Sequence, residues 1–136
     1  MATIYKIFPV QASPAFVWDA IRDVGAVHLR LAQGLVKNTV FVGEVRTVSY
    51  FNGIVVQERI VTVSDELRRL VYASVGGSAS HHNASMQVFA GPDETARVLW
   101  VTDLLPEEAK VPFTQMIEAG AAAIQKTLES AFRKPR

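Results

Sequence analysis

A chain of 136 residues, 49% hydrophobic and 20% charged, is sized for a single globular domain spanning residues 1–136 with one core. Its 14 basic and 13 acidic residues leave a formal net charge of +1, and no window gathers Lys and Arg into the stripe that a nucleic-acid backbone requires, which argues against that partner. With no cysteine, disulfides, thiolate nucleophiles and zinc–sulfur sites are all excluded.

The N-terminal stretch MATIYKIFPVQ lacks a sustained apolar run or a small-residue cleavage site, and nothing later approaches the ~18 apolar residues of a membrane span, so a cytoplasmic protein is expected. Residues 2–10, ATIYKIFPV, mix β-branched and aromatic side chains over the length of a strand, with Pro9 weakening the pairing near its end. Ser13-Pro14 then marks a helix start, a hydroxyl that can cap free amides followed by the residue that suits the first helical position. Val17, Ala20, Ile21 and Val24 recur at helical spacing up to Gly25, and a weaker pattern over residues 26–34 predicts a second short helix ending at Gly34.

From Val36 to Asp103 the texture changes to valine- and threonine-rich runs broken by turn residues every eight to twelve positions, which predicts six antiparallel strands. The breaks are Gly43, the hairpin signal Asn52-Gly53, Ser64-Asp65-Glu66, the stretch GGSASHHN from Gly76 to Asn83, and Gly91-Pro92-Asp93-Glu94. After Pro106 and Pro112 the period becomes helical, with Phe113, Ile117, Gly120, Ile124, Leu128 and Ala131 on one stripe of a helix about twenty residues long. The order predicts an α+β fold in which a seven-stranded curved antiparallel sheet wraps around the long C-terminal helix, with two short helices after the first strand and a cavity between sheet and helix.

The run ERIVTVSDELRRLVYASVGG, with VGEVRTV upstream and RVLW downstream, resembles the START-like, birch-pollen-allergen-like helix-grip superfamily, in particular its bacterial polyketide cyclase/dehydrase and lipid-transport branch. The plant abscisic-acid receptors are related in fold. The receptors' Ser-Gly-Leu-Pro-Ala gate is missing here, where the chain has only the Phe51-Asn52-Gly53 turn. Their carboxylate-binding lysine falls near Gln33, so neither hormone gating nor an anionic ligand carries over. The resemblance implies a domain that hosts carriers, receptors and enzymes alike, with no cofactor and a small hydrophobic or amphipathic molecule as partner.

Apolar residues occupy both faces of several strands, so alternation does not choose the inward one. The resemblance does: it places Glu58, Tyr72 and Ser74 in the pocket, and with them Arg46, Val48 and Tyr50 on the preceding strand. It also turns inward Ala84 and Met86 with Val88, and Asp103 with Leu99 and Val101. From the C-terminal helix, Ile117, Gly120 and Ile124 complete the expected lining. Such a mixture of apolar wall and sparse polar groups suits a small molecule, although Arg46 and Glu58 could equally form an ion pair that only satisfies buried charge. Gly120, costly inside a helix by ~1 kcal/mol, implies either a close helix–sheet approach or headroom above a ligand.

GGSASHHN fails as a catalytic motif. Gly76-Gly77-Ser78-Ala79-Ser80 lacks the final glycine of a hydrolase elbow and the helix that follows one, and a phosphate loop would need a lysine. As strand neighbours His81 and His82 point to opposite faces, which argues against a metal. His82 shares the parity of Ala84 and Met86, so of the two it alone can point toward the pocket mouth, where a carboxylate such as Glu58 or Asp103 could support acid–base chemistry with Tyr72; the alternative is an ordinary exposed loop histidine. Three functions follow: carriage of a lipid, polyketide or isoprenoid, a polyketide cyclase or dehydratase, and a protein-interaction module with a filled cavity.

Overall fold

The computed structural model describes residues 2–134. Strand β1 (Ala2–Val10) leads to helix α1 (Pro14–Arg22), where the Ser13 side chain accepts a hydrogen bond from the Phe16 amide at 3.2 Å and Pro14 opens the first turn. The helix buries Val17, Ala20 and Ile21 of the predicted stripe, with Trp18 beside them. The second helix is shorter than expected, a single π-helical turn over Val27–Leu31 closed by the Ala32 amide on the Val27 carbonyl at 2.8 Å. One turn suffices because only Val27 and Leu31 are buried, and they already lie on the same side.

Six strands follow as predicted: β2 (Val36–Val42), β3 (Val45–Tyr50), β4 (Val55–Ser64), β5 (Arg69–Ser74), β6 (His81–Ala90) and β7 (Ala96–Leu105). All pair antiparallel in one sheet of order β1-β7-β6-β5-β4-β3-β2, so the chain closes the meander by laying its first strand against its last. At the Asn52-Gly53 turn, the Asn52 side chain accepts from the Ile54 amide at 3.0 Å and Gly53 adopts φ +91°, which glycine tolerates without strain. A bulge between Ile60 and Thr62 bends β4 as the sheet curves.

Helix α2 (Lys110–Arg133, 24 residues) starts before Pro112, whose missing amide falls in the first turn, where no helical partner is lost. It buries Ile117, Gly120, Ala121, Ile124, Thr127 and Leu128 in the concave side of the sheet. The core is uneven along this helix. One cluster joins α1 and the π turn to Val48, Leu70, Tyr72, Met86, Val88, Val98, Ile124 and Leu128, whereas at the other end only Ile4, Leu104 and Ile117 form a small separate cluster. Among the described residues no helix is long and apolar enough to cross a membrane.

Candidate ligand-binding site

Where the core thins, the sheet and α2 part to enclose a cavity of about 830 Å³. Its floor is the concave face of β3–β7, its roof is the first half of α2, and its rim is formed by Ile54–Val56, the loop Val75–Ala79, and the segment from Pro106 to Phe113. The chain's own side chains leave this space unfilled. Gly76 and Gly77 both have positive φ, +71° and +91°, so the rim loop takes a path that side chains with a Cβ would resist.

Of the residues expected in the pocket, Tyr50, Glu58, Tyr72, Ser74, His82, Ile117 and Gly120 line this cavity. Arg46, Val48, Met86 and Ile124 lie one layer deeper, around a separate void of about 50 Å³ that shares Tyr50, Glu58, Tyr72, Trp100 and Gly120 with the main one. Ala84 points inward but is covered, at 1% exposure, between its strand partners Tyr72 and Thr102.

Asp103 does not belong to the site. Strand β7 buries Ala96, Val98, Thr102 and Leu104, so the even positions face inward and Asp103, with Leu99 and Val101, occupies the convex side. There its two carboxylate oxygens accept from Thr3 Oγ1 at 2.8 Å and Asn83 Nδ2 at 3.1 Å. The residues gained in exchange are Trp100 and Thr102, which line the cavity. Their position was recoverable from the turn that follows β6: pairing Ala90 with Ala96 keeps partners at equal parity, so the inward even set of β6 forces the inward even set of β7.

The polar groups are organised in layers. Arg46 and Glu58 are direct cross-strand partners, and Arg46 Nε donates to Glu58 Oε1 at 2.7 Å with the side chains only 5% and 13% exposed. The guanidinium also lies 4.9 Å from the centroid of the Tyr72 ring. Tyr72 Oη accepts from Trp100 Nε1 at 3.0 Å, which fixes the indole between the two voids. Burial, reinforced by Glu58, pushes the Tyr50 phenol up to about 12 and the Tyr72 phenol further still, so both stay protonated.

His82 projects between Tyr72 and Phe113, with ring centroids 6.0 and 5.6 Å away, and its Nδ1 accepts from the Ser74 backbone amide at 3.2 Å. Burial lowers its pKa below the usual 6.5, against the opposing pull of Glu58. His81 is exposed and meets Asn83 Oδ1 at 2.7 Å, on the other side of the strand as expected from its parity. Among the described residues no three His, Asp or Glu side chains are grouped to hold a metal ion.

Gly120 serves the close approach. A Cβ built there would sit 2.9 Å from Trp100 Cη2 and 3.0 Å from Cζ3, so the absent side chain is what lets α2 lie against the indole. Phe113 and Met116, from the start of α2, complete the apolar roof; the helical stripe includes Phe113 without marking it as a cavity wall, and Met116 lies off that stripe.

A curved sheet closed over a C-terminal helix, hollow at one end, defines the START-like helix-grip fold. No protein-family model matches the sequence, and no curated protein matches it. Among solved structures, the chain is similar to the protein XoxI from Bacillus cereus, at 21% identity and TM-score 0.83 over 97% of this chain and 96% of that one. It is similar to a START superfamily protein from Mycobacterium smegmatis, at 12% identity and TM-score 0.78 over 95% of this chain and 98% of that one. Norcoclaurine synthase from Thalictrum flavum, in a complex with dopamine and hydroxybenzaldehyde, matches at 20% identity and TM-score 0.74 over 99% of this chain and 89% of that one. These likenesses establish the fold.

Proposed function

We propose that this protein binds and carries a small hydrophobic or amphipathic molecule, of lipid, polyketide or isoprenoid type, in the cavity between the sheet and α2. The observation that carries the reading is the cavity itself: about 830 Å³, walled chiefly by apolar side chains such as Leu35, Val56, Phe113 and Ile117, with polar groups that include Glu58 and His82 set among them. An apolar wall supplies affinity through area removed from water, and sparse polar groups supply orientation. Native mass spectrometry of the purified protein is expected to show a copurifying molecule, and a hydrophobic library is expected to raise Tm. Absence of both a copurifying molecule and any thermal shift would refute the reading.

The second reading, a cyclase or dehydratase, draws on Glu58, Tyr72 and His82 sharing one cavity, and on a likeness in fold to an enzyme crystallised with an amine and an aldehyde. Asp103, on the convex face, takes no part in it. Turnover of a poly-β-ketone that disappears in His82→Ala with the fold intact would favour this reading over simple carriage.

A further inference from the structure

The hydrogen bond at His82 determines which chemistry that side chain can offer. A backbone amide can only donate, so the Ser74 N–H at 3.2 Å requires a lone pair on Nδ1. In the neutral ring the single proton then resides on Nε2, which has no lone pair left to accept anything. The Ser74 amide is held by the strand, and the ring is held between Tyr72 and Phe113, so neither side of the contact turns away easily. Among the described residues Nε2 has no hydrogen-bond partner, while His82 lines the cavity. A donor is therefore presented to the cavity with nothing in the chain to receive it.

Glu58 is a contrasting neighbour. Its Oε1 is engaged by Arg46, and among the described residues no group donates to Oε2, so the carboxylate offers acceptors only. The remaining lining is largely apolar, with the phenols of Tyr50 and Tyr72, which remain protonated, and the polar side chains of Gln57, Ser78, Thr102 and Glu108 also on it. A wholly hydrocarbon ligand would leave the His82 N–H buried and unpaired, a loss comparable to that of a hydrogen bond.

Resting on the binding reading above, we propose that His82 is a fixed-tautomer hydrogen-bond donor to the ligand, and that the ligand class is an apolar molecule bearing a carbonyl oxygen placed against Nε2. The same geometry argues against His82 as the proton-accepting base of a cyclase. Accepting a proton from a substrate in the cavity would need a lone pair on Nε2, and the only lone pair is turned toward Ser74.

The test has two arms. Nitrogen-15 NMR of the histidine rings in the free protein at neutral pH is expected to show His82 as the Nε2–H tautomer, and an Nδ1–H tautomer or an even mixture would overturn the proposal. Binding of 2-acetylnaphthalene and of its near-isostere 2-ethylnaphthalene is then compared by fluorescence and calorimetry. Wild type is expected to prefer the ketone by about three- to tenfold, the worth of one hydrogen bond. His82→Phe is expected to bind both alike, and His82→Gln, whose amide can accept from Ser74 and still donate, to restore the preference. Equal affinities in wild type overturn the proposal while leaving the binding reading standing. Failure of both naphthalenes to bind, with the cavity also refusing the hydrophobic library, counts against the binding reading instead, and the tautomer measurement still decides the state of His82. That measurement and the wild-type comparison need no variant, so a poorly folding His82→Phe does not remove the test.

Discussion

Replacing Gly120 by alanine sets two known effects against each other. Alanine is favoured over glycine inside a helix by ~1 kcal/mol, so on propensity alone the variant gains stability. The added Cβ, however, would stand 2.9 and 3.0 Å from two carbons of the Trp100 ring, closer than carbon atoms approach without displacement. Overpacking of this kind costs about 1–3 kcal/mol, and displacing the indole also endangers its hydrogen bond to Tyr72, worth ~1 kcal/mol. The balance is a net loss of about 2 kcal/mol, or a Tm lower by about 7 °C in a domain of this size. A second route of relief exists because Trp100 borders the main cavity: the indole can swing into that space, in which case less stability is lost and ligand capacity falls. Urea unfolding followed by tryptophan fluorescence measures the first, and affinity for a hydrophobic probe measures the second. A Gly120→Ala protein that is ~1 kcal/mol more stable, with unchanged affinity, would refute the argument that α2 is held against the indole by the missing side chain.

Three further outcomes follow from the same geometry. Removing one member of the buried Arg46–Glu58 pair, as in Glu58→Gln or Arg46→Met, is expected to cost about 3–5 kcal/mol in urea unfolding, while the double change Arg46→Met with Glu58→Leu costs clearly less because no buried charge is stranded. For His82, burial depresses the folded pKa below the unfolded value near 6.5, so its contribution to stability is complete above pH 6.5 and is lost as pH falls toward the folded value. The difference between wild-type and His82→Phe stability profiles isolates that loss from the other histidines, and a wild-type stability that falls relative to the variant as pH rises through this range would contradict the sign. Finally, Ser13→Ala removes the cap on Phe16 N and is expected to destabilise by ~1 kcal/mol in the same assay without altering ligand affinity, since α1 lies outside the cavity wall.

The strands and both α-helices were legible because their signals are local. Ser13-Pro14, Asn52-Gly53 and the glycine breaks each fix a backbone conformation within a few residues, and the stripe Ile117, Gly120, Ile124, Leu128 repeats long enough to be unambiguous. The short apolar pattern after Gly25 had no such length, and tertiary contacts reduced it to one π-helical turn. Facing was a harder question. Strand β7, ARVLWVTDLL, is apolar on both sides, so the choice between Asp103 and Thr102 could not come from hydrophobic alternation. It came from β6, through a turn that preserves parity, and residue patterns along one strand do not contain that information. The rim residues Pro106, Phe113 and Met116 were invisible for a related reason: they become cavity walls only when α2 closes over the sheet.

The uneven core explains how the fold tolerates a void of this size. Val10, Val17, Leu70, Val98 and Leu128, each essentially unexposed, concentrate the apolar packing at the end built by α1, the π turn and the last half of α2. Fully burying such side chains contributes ~1.5–3 kcal/mol each, so that end can hold the sheet curved over the helix without help from the other. At the open end the walls are apolar but not mutually packed, and their contacts with one another are replaced by empty space. A molecule that fills the space supplies the missing contacts to the folded state alone, so stability must rise with its concentration, by RT ln(1 + [L]/Kd). The rise should be carried by the rim and the first half of α2, where the empty protein has least packing to lose. Hydrogen exchange with and without a bound probe is therefore expected to gain protection over Val111–Gly120 and at His82, and little at Leu70, Val98 or Leu128. Uniform protection across both ends would mean that the cavity and the solid core unfold as one unit, and the division of labour drawn from the packing would be wrong.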